Sequence, residues 1–120
     1  MQVVHLKIFG EPASKANSRR VVRIGGMSRM IKSQKALNYA EAFKRQAVPI
    51  HPLMEGAVSV EIHIWYASRR PDLDESLILD LLQNVVYTND RQVREKHIFW
   101  HLDKLNPRCE ITCRPLEGKF

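Results

Sequence analysis

The stretch Ala57-Val58-Ser59-Val60-Glu61-Ile62-His63-Ile64-Trp65-Tyr66-Ala67 sets Val58, Val60, Ile62, Ile64 and Tyr66 in strict alternation with Ser59, Glu61, His63 and Trp65. A period of two is that of a strand with one buried face, so a strand is predicted over 57–67. It runs directly into Arg69-Arg70-Pro71-Asp72-Leu73-Asp74-Glu75. Beyond this polar loop the period changes to that of a helix. Leu77, Ile78, Leu81, Leu82 and Val85 share one face and Ser76, Asp80 and Gln83 lie away from it, which predicts a helix from about Asp74 to Val86. Tyr87-Thr88-Asn89-Asp90 then turns the chain. Strands follow over 92–102 and 109–114, joined through Lys104-Leu105-Asn106-Pro107.

On the N-terminal side, Gln2 to Phe9 alternates like a strand and ends at Gly10-Glu11-Pro12. Residues 13–20 read as a polar, basic loop. A short strand over 20–24 meets Gly25-Gly26, a pair suited to a hairpin turn back through 28–31. Ser33 is a suitable N-cap for a helix reaching about Ala47, with Leu37, Ala40, Phe43 and Ala47 on its apolar side and Tyr39 beside Phe43. Pro49 and Pro52 end it. The order β-β-(β)-α-β-α-β-β predicts an α+β fold with a mixed or largely antiparallel sheet and two helices, as one domain over 1–120.

Bulk properties narrow the function classes. With 44% hydrophobic and 27% charged residues the composition is that of an ordinary soluble globule, and no apolar run approaches the ~20 residues of a membrane span. The N-terminus lacks the basic and long apolar regions of a secretory signal, so a cytoplasmic protein is expected. Cys109 and Cys113, four apart in a predicted strand, would hold their Cα atoms ~13 Å apart, beyond the ~7 Å limit of a disulfide. They read as small core residues. The net charge of +6 is uneven, because residues 1–48 carry ten Lys or Arg against Glu11 and Glu41 alone, leaving 49–120 at −2. The first part therefore reads as the phosphate-facing surface, with Lys15, Arg19 and Arg20 in its loop and Arg69 and Arg70 ahead of the acids as candidate DNA contacts.

Carboxylates packed behind arginines in a basic protein are either structural or there to hold a divalent cation. In an extended loop Asp72 and Asp74 would point the same way, ~6–7 Å apart, a bridging distance for a metal. Mg²⁺ needs only one or two protein carboxylates plus water and a substrate phosphate. With Asp90 as a third carboxylate, such a site would orient a water for attack on a phosphodiester. The structural reading is specific too, since Asp72 with Glu75 fits a helix-capping pattern, Asp74 is a favoured N-cap, and Asp90 beside Asn89 suits a turn. Geometry also objects to Asp90. A helix of about twelve residues would carry the chain ~18 Å from Asp74, and the return from Val86 recovers at most ~13 Å. Asp90 joins the site only if the helix is short or tilted, or if a second subunit supplies it.

The paired motif Arg69-Arg70-Pro71-Asp72-Leu73-Asp74, then a short amphipathic helix, then Val85-Val86-Tyr87-Thr88-Asn89-Asp90-Arg91-Gln92-Val93, resembles the RusA family of Holliday junction resolvases. The similarity extends more loosely to Gly10-Glu11-Pro12-Ala13-Ser14-Lys15. It implies a homodimeric, Mg²⁺-dependent endonuclease (Mn²⁺ a substitute) that nicks four-way DNA junctions symmetrically in recombination, repair or phage DNA processing. Asp72, Asp74 and Asp90 would be the catalytic metal ligands. Two departures are visible: Glu75 stands where the family usually has Asn, a fourth acidic group at the metal, and a family lysine on the following helix has no counterpart at Ser76, Leu77 or Ile78. Its role is then absent or taken by a distant residue such as Lys15. Other readings are a broader branched-DNA or flap nuclease and a non-catalytic binder of branched DNA. The five histidines show no ligand spacing, and Trp65 and Trp100 read as core, dimer surface or base-stacking residues.

Overall fold

The computed structural model describes residues 2–14 and 19–117, with the side chains of Arg19 and Arg29 left aside. Six strands and two helices follow the expected order: β1 (Val4–Phe9), β2 (Arg19–Ile24), β3 (Met27–Lys32), α1 (Gln34–Gln46), β4 (Val58–Tyr66), α2 (Ser76–Leu81), β5 (Val93–Leu102) and β6 (Arg108–Pro115). The fold is α+β with a mixed sheet. Four strands lie in the order β1-β6-β4-β5, and β2-β3 forms a separate two-stranded hairpin. β1–β6 and β4–β6 run antiparallel, whereas β4 and β5 are parallel and are connected through the acidic loop and α2. A parallel pair requires such a crossover, and the crossover carries the candidate site.

The alternation in β4 is realised as expected. Val58, Val60, Ile62, Ile64 and Tyr66 are buried in one core with Ile8, Phe43, Ile78, Leu82, Val86, Tyr87 and Ile111. Cys109 and Cys113 are buried, unbridged members of it. On the opposite face His63 stacks on Phe99 at 4.5 Å and Trp65 on His101 at 4.4 Å, and the Arg108 guanidinium sits 4.1 Å over Trp65. The His63 Nδ1 and His101 Nε2 atoms are 2.8 Å apart.

α1 starts where the sequence indicates, with Ser33 Oγ accepting the Ala36 N–H at 3.2 Å. Its buried stripe is Ala36, Tyr39, Ala40 and Phe43, so Leu37, expected on that face, lies about 100° round the helix from Ala36 and is exposed. The second helix is also shorter than its periodicity suggests. Six residues are α-helical, after which Leu82–Val86 continues in turns that still bury Leu82, Val85 and Val86. The break is at Asn84, whose φ of 66° is left-handed and whose N–H bonds the Tyr87 carbonyl at 2.6 Å. Asn tolerates this conformation better than other non-glycine residues. No helix among the described residues is long and apolar enough to cross a membrane.

Candidate active site

The acidic loop is held by aromatic side chains of the sheet. Tyr66, the last residue of β4 and only 1% exposed, donates from its hydroxyl to the Asp72 carbonyl at 3.2 Å and accepts the Asp74 N–H at 3.3 Å. One hydroxyl thereby clamps the backbone at both aspartates. Trp100 of β5 adds a third point, donating its indole N–H to the Pro71 carbonyl at 3.2 Å, with its ring 6.1 Å from that of Tyr66. Burial raises the Tyr66 pKa above its ordinary value, helped by the nearby Asp74, Glu11 and Glu75 charges. The hydroxyl therefore stays protonated and remains able to donate.

Within the loop Asp72 is exposed and Asp74 half-buried. Asp74 Oδ1 accepts from the Ser76 N–H at 3.0 Å and the Ser76 hydroxyl at 2.6 Å, so it serves the first turn of α2. The N-cap position itself is Glu75, which makes no side-chain capping bond. Its carboxylate instead pairs with the Lys96 ammonium at 2.7 Å, reaching across from β5. Lys96 also lines a hollow with Asp90, Leu79, Val93, Arg94 and Glu95. It stands between the two acidic segments, and sequence reasoning passed over it.

Asp90 opens a single 3-10 turn, Asp90–Gln92, that follows Asn89. The turn is fixed by a reciprocal cap in which Asn89 Oδ1 accepts the Arg91 N–H and Gln92 Oε1 accepts the Asn89 N–H, at 2.9 and 3.1 Å. The Gln92 amide also donates to the Met54 and Gly56 carbonyls, and the Asp90 N–H is held by Gln83 at 3.0 Å. Asp90 is exposed at the start of this turn. The separating helix is short, which meets one of the conditions for Asp90 to join the acidic loop. Even so, among the described residues no three His, Cys, Asp or Glu side chains stand close enough together to hold a metal ion.

Of the candidate DNA contacts, Arg69 and Arg70 are exposed at the start of the acidic loop. Arg70 lines a hollow with Glu11, Pro12, Ser14, Lys35, Ser68 and Pro71. Glu11 braces this corner by accepting the Ala67 N–H at 2.8 Å and pairing with Lys35 at 3.6 Å. Arg20 is exposed on β2, whereas Lys15 and the side chain of Arg19 fall outside the described residues. Tyr66, Trp100 and Lys96 are the residues that sequence reasoning missed in these roles. Tyr66 carries the alternation of β4, whereas Lys96 and Trp100 share a face of β5 that its own sequence does not mark as inward.

The sequence finds no match among curated proteins. The family model of endodeoxyribonuclease RusA matches residues 10–114, which takes in the basic N-terminal part, the acidic loop, the Asp90 turn and all of β5. With most of its length matched, the chain belongs to the RusA endodeoxyribonuclease family.

Proposed function

We propose that the protein is a divalent-metal-dependent endonuclease that resolves four-way DNA junctions by paired nicks as a homodimer, in recombination, repair or phage DNA processing. The observation that carries this is the Tyr66 clamp, which fixes the backbone of Asp72 and Asp74 from a buried, protonated hydroxyl. The clamp acts on the loop backbone ahead of the first turn of α2, which Asp74 serves separately through Ser76.

The donor chemistry suits Mg²⁺, with Mn²⁺ as a substitute. Asp72 and Asp74 offer oxygen ligands alone, and Mg²⁺ takes few protein carboxylates and keeps its waters for phosphate exchange. Asp72 and Asp74 would hold the ion, with Asp90 as a third carboxylate and Glu75 as a fourth acidic group. A bound divalent ion supplies positive charge that activates water and stabilises the leaving oxygen. The chain's own residues do the positioning. Tyr66 and Trp100 hold the loop, Lys96 holds Glu75 toward β5, and Arg69 and Arg70 with Lys15, Arg19 and Arg20 meet the phosphates. Paired nicks call for two copies of the site related by a two-fold axis. The stacked surface of Trp65, His63, Phe99 and His101 offers the area for a partner copy.

The test is cleavage of a synthetic four-way junction, a 5′ flap and a linear duplex, each with Mg²⁺ and with EDTA. Symmetric nicks in the junction alone, only with Mg²⁺, are expected. Preferential flap cutting would replace the reading with a broader branched-DNA nuclease, and metal-independent binding without nicking would leave a non-catalytic binder.

A further inference from the structure

The β2–β3 hairpin is not absorbed by the site described above. Among the described residues its strands pair only with each other, over six residue pairs from Arg19↔Lys32 to Ile24↔Met27, which gives an arm ~20 Å long. The turn is Gly25-Gly26, both left-handed with φ of 59° and 81°, the tight two-residue form that only such residues adopt easily. Residues 19–32 hold five basic side chains (Arg19, Arg20, Arg23, Arg29 and Lys32) and no acid. Amid this charge stand four large apolar side chains, Val21, Ile24, Met27 and Met30, each more than half exposed. Ile24 and Met27 are directly paired at the tip, on one face of the ribbon.

The Val21–Met30 pair lies on the opposite face of the ribbon from the Ile24–Met27 pair. An isolated two-stranded ribbon is marginal in water, and an exposed apolar pair at its tip marks a surface meant to be covered. Five like charges set against five like charges argue against a second copy of the arm as its cover. The partner that fits is one with anionic flanks and an apolar interior, which describes stacked bases between two phosphate backbones. Lys32 at the base of the arm pairs with Asp80 of α2 at 3.7 Å. Asp80 lies in α2, whose first residue Ser76 is bonded to Asp74 through its N–H and hydroxyl. The arm is thus rooted beside the acidic loop and would meet the same DNA.

We infer that the β2–β3 hairpin is a DNA-distorting arm whose Ile24–Met27 tip enters the base stack at a branch point while its arginines hold the flanking phosphates. The inference rests on the branched-DNA reading given above and names the element that engages the branch. Apolar wedges of this kind unstack a base step at a cost of a few kcal/mol, and that cost is least where stacking is already interrupted. A branch point is such a place.

The test uses wild-type protein and the double variant Ile24→Ser/Met27→Ser in EDTA. The probes are a four-way junction carrying 2-aminopurine at the branch point and a linear duplex of the same sequence. Wild-type binding should raise the 2-aminopurine fluorescence severalfold. In the double variant that rise should vanish and junction affinity should fall about tenfold, with duplex affinity unchanged. Ile24→Leu/Met27→Leu should restore both, which separates a wedge from a folding defect. Undiminished fluorescence in the serine variant would overturn the inference, as would an equal loss on the duplex, which marks a general phosphate-binding arm. A fall in sedimentation mass would overturn it in favour of self-association. A wild-type protein with no preference for the junction would sink the functional reading and the arm together, whereas a clear preference untouched by the substitutions sinks only the arm.

Discussion

Replacing Tyr66 with Phe removes one oxygen atom and tests whether the clamp on the acidic loop serves catalysis. The ring stays in the core, where it is 1% exposed, so packing is conserved. Two hydrogen bonds disappear, from the hydroxyl to the Asp72 carbonyl at 3.2 Å and from the Asp74 N–H to the hydroxyl at 3.3 Å. At ~0.5–1.5 kcal/mol each, and near the lower end because the loop is partly wet and the bonds are long, the loss of stability is about 1–2 kcal/mol. Trp100 still holds the Pro71 carbonyl and Ser76 still holds Asp74, so the loop loosens without unfolding. If carboxylate placement carries that energy into the transition state, nicking slows about five- to thirtyfold at ~1.4 kcal/mol per decade. The assay is single-turnover cleavage of a four-way junction at saturating protein, beside urea denaturation of the same variant. Junction affinity should hold within about twofold, because no phosphate contact is removed. A variant that loses stability as expected but nicks at the wild-type rate would refute the reasoning, since the clamp would then be structural only.

Asp72→Asn and Asp74→Asn should each abolish nicking while junction binding, measured by gel shift in EDTA, stays intact or tightens, because each removes a carboxylate that repels phosphate. Arg69→Ala or Arg70→Ala should weaken binding to all DNA alike and reduce the slope of log K against log salt by about one counterion. A homodimer of about 28 kDa should appear in light scattering at micromolar concentration, and mixing Asp72→Asn chains with wild type should give heterodimers that nick one strand only. Stability should fall as pH rises above 9. Burial raises Cys109 to about 11 and Cys113 to about 12 from 9.0, and also raises Tyr39, Tyr66 and Tyr87. The unfolded chain therefore loses these protons while the folded one keeps them, so the stability is full below pH 9 and is lost as pH climbs toward the folded values. Urea titrations at pH 8, 9.5 and 10.5 would check this, and Cys113→Ala should flatten the decline.

The strand β4 and the acidic loop were legible because alternation and charge are local properties of the chain. The extent of α2 was not. Its apolar residues repeat as a helix would through Val86, and they are all buried, yet Asn84 at φ 66° breaks the helix without breaking the burial. Periodicity reports which side chains are buried and says less about the backbone that buries them. The same ambiguity produced the geometric objection to Asp90, which assumed a helix about twice as long as the six residues observed.

Lys96 and Trp100 were illegible for a different reason. Their roles depend on register between parallel strands that are far apart in sequence, with Val60 opposite Lys96 and Ile64 opposite Trp100. In β5 the sequence Val93-Arg94-Glu95-Lys96-His97-Ile98-Phe99-Trp100-His101 has apolar or aromatic residues at both parities, so composition does not say which face is inward. A slip of one residue would send Lys96 and Trp100 to the outer face and turn His97 and Phe99 toward the core. The observed register is the one that brings His63 onto Phe99, Trp65 onto His101 and Ser59 to Glu95, to which it donates at 2.9 Å. The outer face of the sheet therefore contributes to the inner geometry of the acidic loop. Through that register the histidine and aromatic pairs hold the Trp100 indole under Pro71 and the Lys96 ammonium against Glu75, at a site they do not touch.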